Sequence, residues 1–203
     1  PPQGQLPPSL EPSAFTLDPE IKRECIWDGV QFRPSSLLID RRQAVVSIRD
    51  ADGEWIVANS HVPAYDSMLT RIADPHRAPE VLTVREMIRA WRFYDHFRVD
   101  AEAPVRNQQL GTRTPVLSND GRDLGPGLQA ILEIGDRGAL ERTILDAFPG
   151  SALEIEHGNG RFAIALRQPG MLRPLGAAEL SDGTLRFLLW TAALLTPRPP
   201  PLM

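Results

Sequence analysis

A chain of 203 residues, 42% of them hydrophobic, is long enough for one domain with a substantial core, or for a domain and a small appendage. Its formal net charge of −4 supplies no global basic field to attract nucleic acid, and its single cysteine excludes an internal disulfide and a cysteine-cluster zinc site. No run approaches the roughly 18 apolar residues of a membrane span, and Pro1–Pro8 has neither the basic flank nor the apolar stretch of a signal peptide, so a cytoplasmic protein is expected.

Residues 1–18 are rich in proline and poor in apolar side chains, which predicts a disordered lead-in outside the core. An antiparallel β arm is expected over residues 19–63. Its strands are read at Cys25–Trp27, Ser36–Ile39, Ala44–Ile48 and Glu54–Val57, and Asp50–Gly53 forms the turn between the last two. From Ala64 to Trp91 the pattern turns helical, with Met68, Leu69 and Ile72 on one face and Val84, Met87, Ile88 and Trp91 on another; Asp74-Pro75 and Ala78-Pro79 separate the two segments. Residues 92–99 alternate as a strand would, with Phe93 and Phe97 on either side of Asp95, and a polar loop with prolines follows to about Asn119.

Asp123 is placed to cap a helix carrying Leu124, Leu128, Ile131 and Leu132, which Gly135 ends. A second helix points Leu140, Ile144, Leu145 and Phe148 inward and stops at Pro149-Gly150, so the two make a helical hairpin. Over residues 151–168, Leu153 and Ile155, then Phe162, Ile164 and Leu166, alternate with smaller or charged residues; His157-Gly-Asn-Gly160 joins these two strands of a β-hairpin. Together these elements define an α+β chain, with residues 64–203 forming the remainder of the domain beyond the β arm.

The last helix, read over residues 181–195, carries Leu185, Leu188, Leu189, Ala192 and Leu195 on one stripe. Ser181 is a natural N-cap for it, and Gly183 leaves backbone N–H groups open at the positive end of the helix dipole, where an anion can sit. On the residues of this short motif alone, a helix cap is the favoured reading of Ser181. Arg106, Arg113 and Arg122 lie in the polar stretch 105–123 with no helical or strand period; their forks suit phosphate, but a solvated loop is the expected reading. His96 adjoins Asp95, yet neighbours on a strand face opposite ways, and His61, His76 and His157 have no metal-ligand spacing, so no metal is assigned.

Leu180-Ser-Asp-Gly-Thr184 followed by a leucine-rich helix resembles the signature motif of ABC-type ATPases, and more closely its variant in RecF/SMC-like AAA-family ATPases. Tyr94-Asp-His-Phe-Arg98, Gly111-Thr-Arg-Thr-Pro-Val-Leu117 and Asp120-Gly-Arg-Asp-Leu124 are similar in order and spacing to the middle of the same family, and the likeness covers roughly residues 18–203. It implies a partial ABC-type P-loop fold with an antiparallel β subdomain, a helical hairpin lobe and a C-terminal signature helix. By position, Ser181, Asp182, Gly183 and Thr184 would bind ATP: Ser181 through its hydroxyl and Gly183 through its N–H, both at the γ-phosphate.

Asp182 departs from the glycine of the common signature. It would set a carboxylate near a phosphate unless it turns outward or meets an arginine such as Arg186. The resemblance also implies Mg, a homodimer closed through the nucleotide, and DNA as a candidate partner that the acidic charge does not support. Lys22 is the only lysine, and Ile21 rather than glycine stands directly before it, so these residues contain no G-x-x-x-x-G-K-[ST] loop. The chain opens on proline and closes at Met203, one step before the expected Walker B strand, and is expected to be a fragment, inactive by itself. The alternative is a non-catalytic α+β interaction module in which Ser181 is only a helix cap.

Overall fold

The computed structural model describes residues 19–50 and 52–203, so the expected lead-in of residues 1–18 lies outside the described residues. The chain is α+β, with two antiparallel sheets and five α-helices among the described residues. It divides into two compact units, the first ending at Arg89 and the second running from Ala90 to Met203.

The first unit holds a meander of β1 (Arg23–Trp27), β2 (Leu37–Arg42), β3 (Val45–Arg49) and β4 (Trp55–Asn59), in that order. Period-2 alternation aligns Ile26, Ile39, Ile48 and Ile56 in one cross-strand row, which faces the core. The β3–β4 turn closes as expected. Asp50 accepts from the N–H groups of Asp52 (3.0 Å) and Glu54 (2.9 Å), and Gly53 supplies the φ of 82° that a Cβ would resist.

Helices α1 (Met68–Arg71) and α2 (Pro79–Arg89) complete this core through Met68, Ile72 and Val81. The inward face of α2 differs from the one expected: Met87 is 51% and Ile88 39% exposed, whereas Val81 is fully buried. The reason lies one turn beyond Val81. Arg85 turns to the end of α1 and donates to the carbonyl oxygens of Leu69 (2.6 Å) and Ile72, acceptors that a helix end leaves unpaired. The inner stripe therefore runs Val81–Arg85, with Val84 half-buried beside it, and leaves Met87 and Ile88 outside.

In the second unit no strand forms over residues 92–99. Tyr94 and Phe97, three apart, are buried together with ring centroids 5.4 Å apart, and the Tyr94 hydroxyl donates to the Leu117 carbonyl at 2.9 Å, while Phe93 faces solvent. Their packing into the core overrides the apparent alternation. A two-residue strand, β5 (Gln109–Leu110), lies within the stretch read as loop.

Helix α3 (Leu124–Ile134) carries the expected stripe and ends at Gly135. Asp123 stands at its N-cap position but makes no capping bond; its carboxylate accepts instead from the Ser118 N–H (3.0 Å) and hydroxyl (2.6 Å). The first turn is satisfied from outside, by Gln109 Oε1 accepting from the Gly125 N–H at 2.7 Å. Helix α4 (Arg137–Ala147) starts at Asp136, which accepts from the Ala139 N–H at 2.8 Å. Leu140 and Ile144 are buried as expected, but Leu145 faces outward at 51% exposure, because it lies one step round the helix from Ile144.

Strands β6 (Ala152–Gly158) and β7 (Arg161–Arg167) form the expected hairpin, paired from Ala152↔Arg167 to Gly158↔Arg161. Asn159 and Gly160 both take positive φ, 51° and 71°, as a two-residue hairpin turn requires. The sheet order is β5-β7-β6, and β8 (Leu175–Gly176) also pairs with β7. Helix α5 (Asp182–Leu194) runs through the core of this unit with Leu185, Leu188, Leu189 and Ala193 fully buried. At roughly 25 cal/mol per Å² of buried apolar surface, four such side chains hold the helix far more firmly than its cap does.

Candidate functional site

The apolar stripe of α5 fixes its body, so its first turn is presented as a consequence of packing. Ser181, Asp182 and Gly183 are exposed and Thr184 is half-buried, directly after the buried Leu180. Ser181 is the N-cap: its Oγ accepts from the Thr184 N–H at 3.1 Å and lies 2.9 Å from the Thr184 hydroxyl. When the Thr184 hydroxyl donates across that contact, the Ser181 proton is left for an outside acceptor. Among the described residues, the N–H groups of Asp182 and Gly183 meet no acceptor, which leaves two donors at the positive end of a thirteen-residue helix.

Gly183 is informative about this opening. Its φ is not positive, and an added Cβ would meet only Ser181 Oγ, at 3.8 Å, an ordinary contact. Nothing in the folded chain requires glycine there. What glycine provides is a bare backbone facing outward.

Asp182 does meet an arginine, but it is Arg106 and not Arg186, which is exposed. Arg106 Nη2 donates to Asp182 Oδ1 at 2.5 Å. The same guanidinium donates to the carbonyl oxygens of Val99 (2.8 Å), Asp100 (3.0 Å) and Leu180 (2.8 Å), with longer contacts to those of Ala177 and Ala178. Its side chain is only 11% exposed, against 59% for Asp182. The expectation that Arg106 belongs to a solvated loop is thereby corrected, because five carbonyl oxygens and one carboxylate converge on its fork.

Arg113 and Arg122 are exposed and form only loose surface pairs, with Glu133 at 3.4 Å and Asp120 at 3.8 Å. Sequence spacing could not separate the three arginines. The usable signal was Asp182 itself, a carboxylate that an arginine fork can pair.

The turn leading into the site is held by a second ion pair. Glu179 accepts from both terminal nitrogens of Arg173, at 2.7 Å each, and from the Gly176 N–H at 3.0 Å. The Arg173 bonds first, and then the Gly176 N–H, pull the Glu179 carboxyl down from 4.5 to about 2. Arg173 and Glu179 line a cavity of about 510 Å³ with Arg106, Glu156 and Gly176. His96 is exposed. No group of three or more His, Cys, Asp or Glu residues that could hold a metal occurs among the described residues, and Mg ligands are assigned to none of them. No helix among them is long and apolar enough to cross a membrane.

The structure thus presents an exposed turn with two open N–H donors at the head of a buried helix. The family whose profile matches residues 15–203 is described as "AAA domain, putative AbiEii toxin, Type IV TA system", and this chain belongs to it. AAA domains are a nucleotide-binding class of ATPases whose members use ATP and Mg. No curated protein and no solved structure matches.

Proposed function

We propose that these residues supply the signature-motif side of a composite ATP site of RecF/SMC-like architecture, completed by Walker motifs that lie outside these 203 residues, on a second protomer of a head-to-tail homodimer. The observation that supports this reading is the bare Gly183 backbone, presented beside a capped Ser181 and left unexplained by the packing of the chain itself. Ser181 Oγ and the Gly183 N–H hold the γ-phosphate, with Thr184 fixing the serine rotamer and the α5 dipole adding its positive end. ATP bound there supplies the transferable phosphoryl group. The G-x-x-x-x-G-K-[ST] loop that hydrolysis needs is not among these residues, so the 203-residue chain by itself is expected not to turn over ATP.

Isotope-labelled amide spectra of the 203-residue chain test the reading. Addition of ATP is expected to shift the Gly183 and Thr184 resonances, and addition of AMP to leave them in place. No response, or an equal response to AMP, overturns the phosphate contact. It would favour the second reading, an interaction module in which Ser181 serves only its bond to the Thr184 N–H. Mg-dependent ATP hydrolysis by the purified chain overturns the division of the site between two protomers.

A further inference from the structure

Resting on that phosphate contact, we infer that Arg106 is a positioning residue of the site, which cancels the Asp182 charge and orders the Leu180–Gly183 turn so that the helix end accepts a triphosphate. The geometry gives Arg106 two separable tasks. Through Nε and Nη1 it gathers the carbonyl oxygens of Val99, Asp100 and Leu180, which sets the direction from which the chain enters α5. Through Nη2, which also donates to the Val99 carbonyl at 2.8 Å, it reaches Asp182 Oδ1 at 2.5 Å and makes an 11%-exposed guanidinium the counter-charge of a 59%-exposed carboxylate.

The second task is the one that bears on a ligand. Asp182 and Gly183 are adjacent in the first turn of α5, so any anion that reaches the Gly183 N–H comes within a few ångströms of the Asp182 carboxylate. Left uncompensated, that carboxylate offsets the positive end of the helix dipole for any second anion and would cost about tenfold in affinity for a polyanion at the effective dielectric of a protein surface. Paired with Arg106 it is neutral overall, and Oδ1, the oxygen held by the fork, is drawn toward the body of the unit. Arg186, the nearer arginine in sequence, makes no such contact and leaves this task to a residue 76 positions away. A purely structural arginine would need its carbonyl partners alone; the Asp182 bond ties it to the phosphate end.

The tasks separate in a charge-rescue experiment on the 203-residue chain, with inorganic tripolyphosphate as the probe and the Gly183 and Thr184 amide shifts as the readout. The parent chain is expected to bind. Arg106→Met is expected to bind about tenfold more weakly. Arg106→Met combined with Asp182→Asn is expected to recover most of that loss, although its melting temperature stays low, because the carbonyl bonds are still missing. Should Arg106→Met fail to fold, Arg106→Lys keeps the cation, loses the fork, and is expected to bind within about threefold of the parent despite a lowered melting temperature. Double-variant binding no better than that of Arg106→Met, or Arg106→Lys binding as weakly as expected for Arg106→Met, overturns the role of Arg106 at the site while leaving the phosphate contact standing. A parent chain whose Gly183 and Thr184 amides ignore tripolyphosphate overturns both.

Discussion

Two guanidinium groups, Arg41 fully buried and Arg106 mostly so, organise the two units, and they differ in what their carboxylate partner does next. In the first unit Arg41, with no exposed surface, donates to Glu24 at 2.6 Å and to the carbonyl oxygens of Gln43 (2.7 Å), Pro63 (2.7 Å) and Asp66. Glu24 is also saturated from its other side, accepting from the Ser67 hydroxyl at 2.5 Å and the Met68 N–H at 2.8 Å. The knot is closed, and it fastens β1 and β2 to the start of α1. In the second unit Arg106 gathers carbonyl oxygens in the same way, but Asp182 keeps an oxygen in solvent at the head of α5. The difference separates a group that serves the fold from one that serves the fold and also conditions a surface.

The largest expected effect falls on the closed knot. Arg41→Met strands a mostly buried carboxylate together with three carbonyl oxygens, and a loss of ~3–5 kcal/mol is expected in denaturant unfolding. Arg106→Met should cost less, about 2–3 kcal/mol, since Asp182 can rehydrate and only the carbonyl oxygens lose their donor. Equal losses at the two sites would erase the contrast between a closed and an open knot.

The Glu179–Arg173 pair gives a finer probe of the turn that enters α5. A carboxyl whose pKa is lowered on folding contributes stability that is present above its ordinary value of 4.5 and is lost as pH falls toward about 2. The Gly176 amide, which donates to this carboxylate, should therefore titrate with a midpoint near 2. In Glu179→Gln that transition should vanish. A midpoint at the ordinary carboxyl value would show the pair to be absent in solution and the turn less ordered than its bonds imply.

How much of this was legible in the sequence depended on whether a signal was local and periodic. The β6–β7 hairpin and α5 were readable because strict alternation around Asn159-Gly160 and an unbroken leucine stripe behind Ser181 leave little competition. Strands β5 and β8, two residues each, are too short to carry a period and exist only because β7 offers an edge. On α2, apolarity alone placed Met87 and Ile88 inward, where the structure instead turns Arg85 to the carbonyl oxygens ending α1. The Ser181–Thr184 turn was visible as a motif, whereas its counter-charge came from Arg106, a long-range partner that no spacing rule selects.

The smallest expected change in stability isolates the site from the fold. Gly183→Ala introduces a Cβ whose only neighbour is Ser181 Oγ at 3.8 Å, in a backbone conformation that alanine adopts freely. Stability should stay within about 0.5 kcal/mol of the parent, since gained helix propensity offsets any crowding of the cap. The tripolyphosphate response at Thr184 should nevertheless fall, because the methyl group covers the N–H face that the glycine leaves bare. A variant that is as stable as the parent and binds as well would remove the reason for a glycine at this position. It would make the first turn of α5 a cap like that of α4, where Asp136 performs the same bond with no phosphate in view.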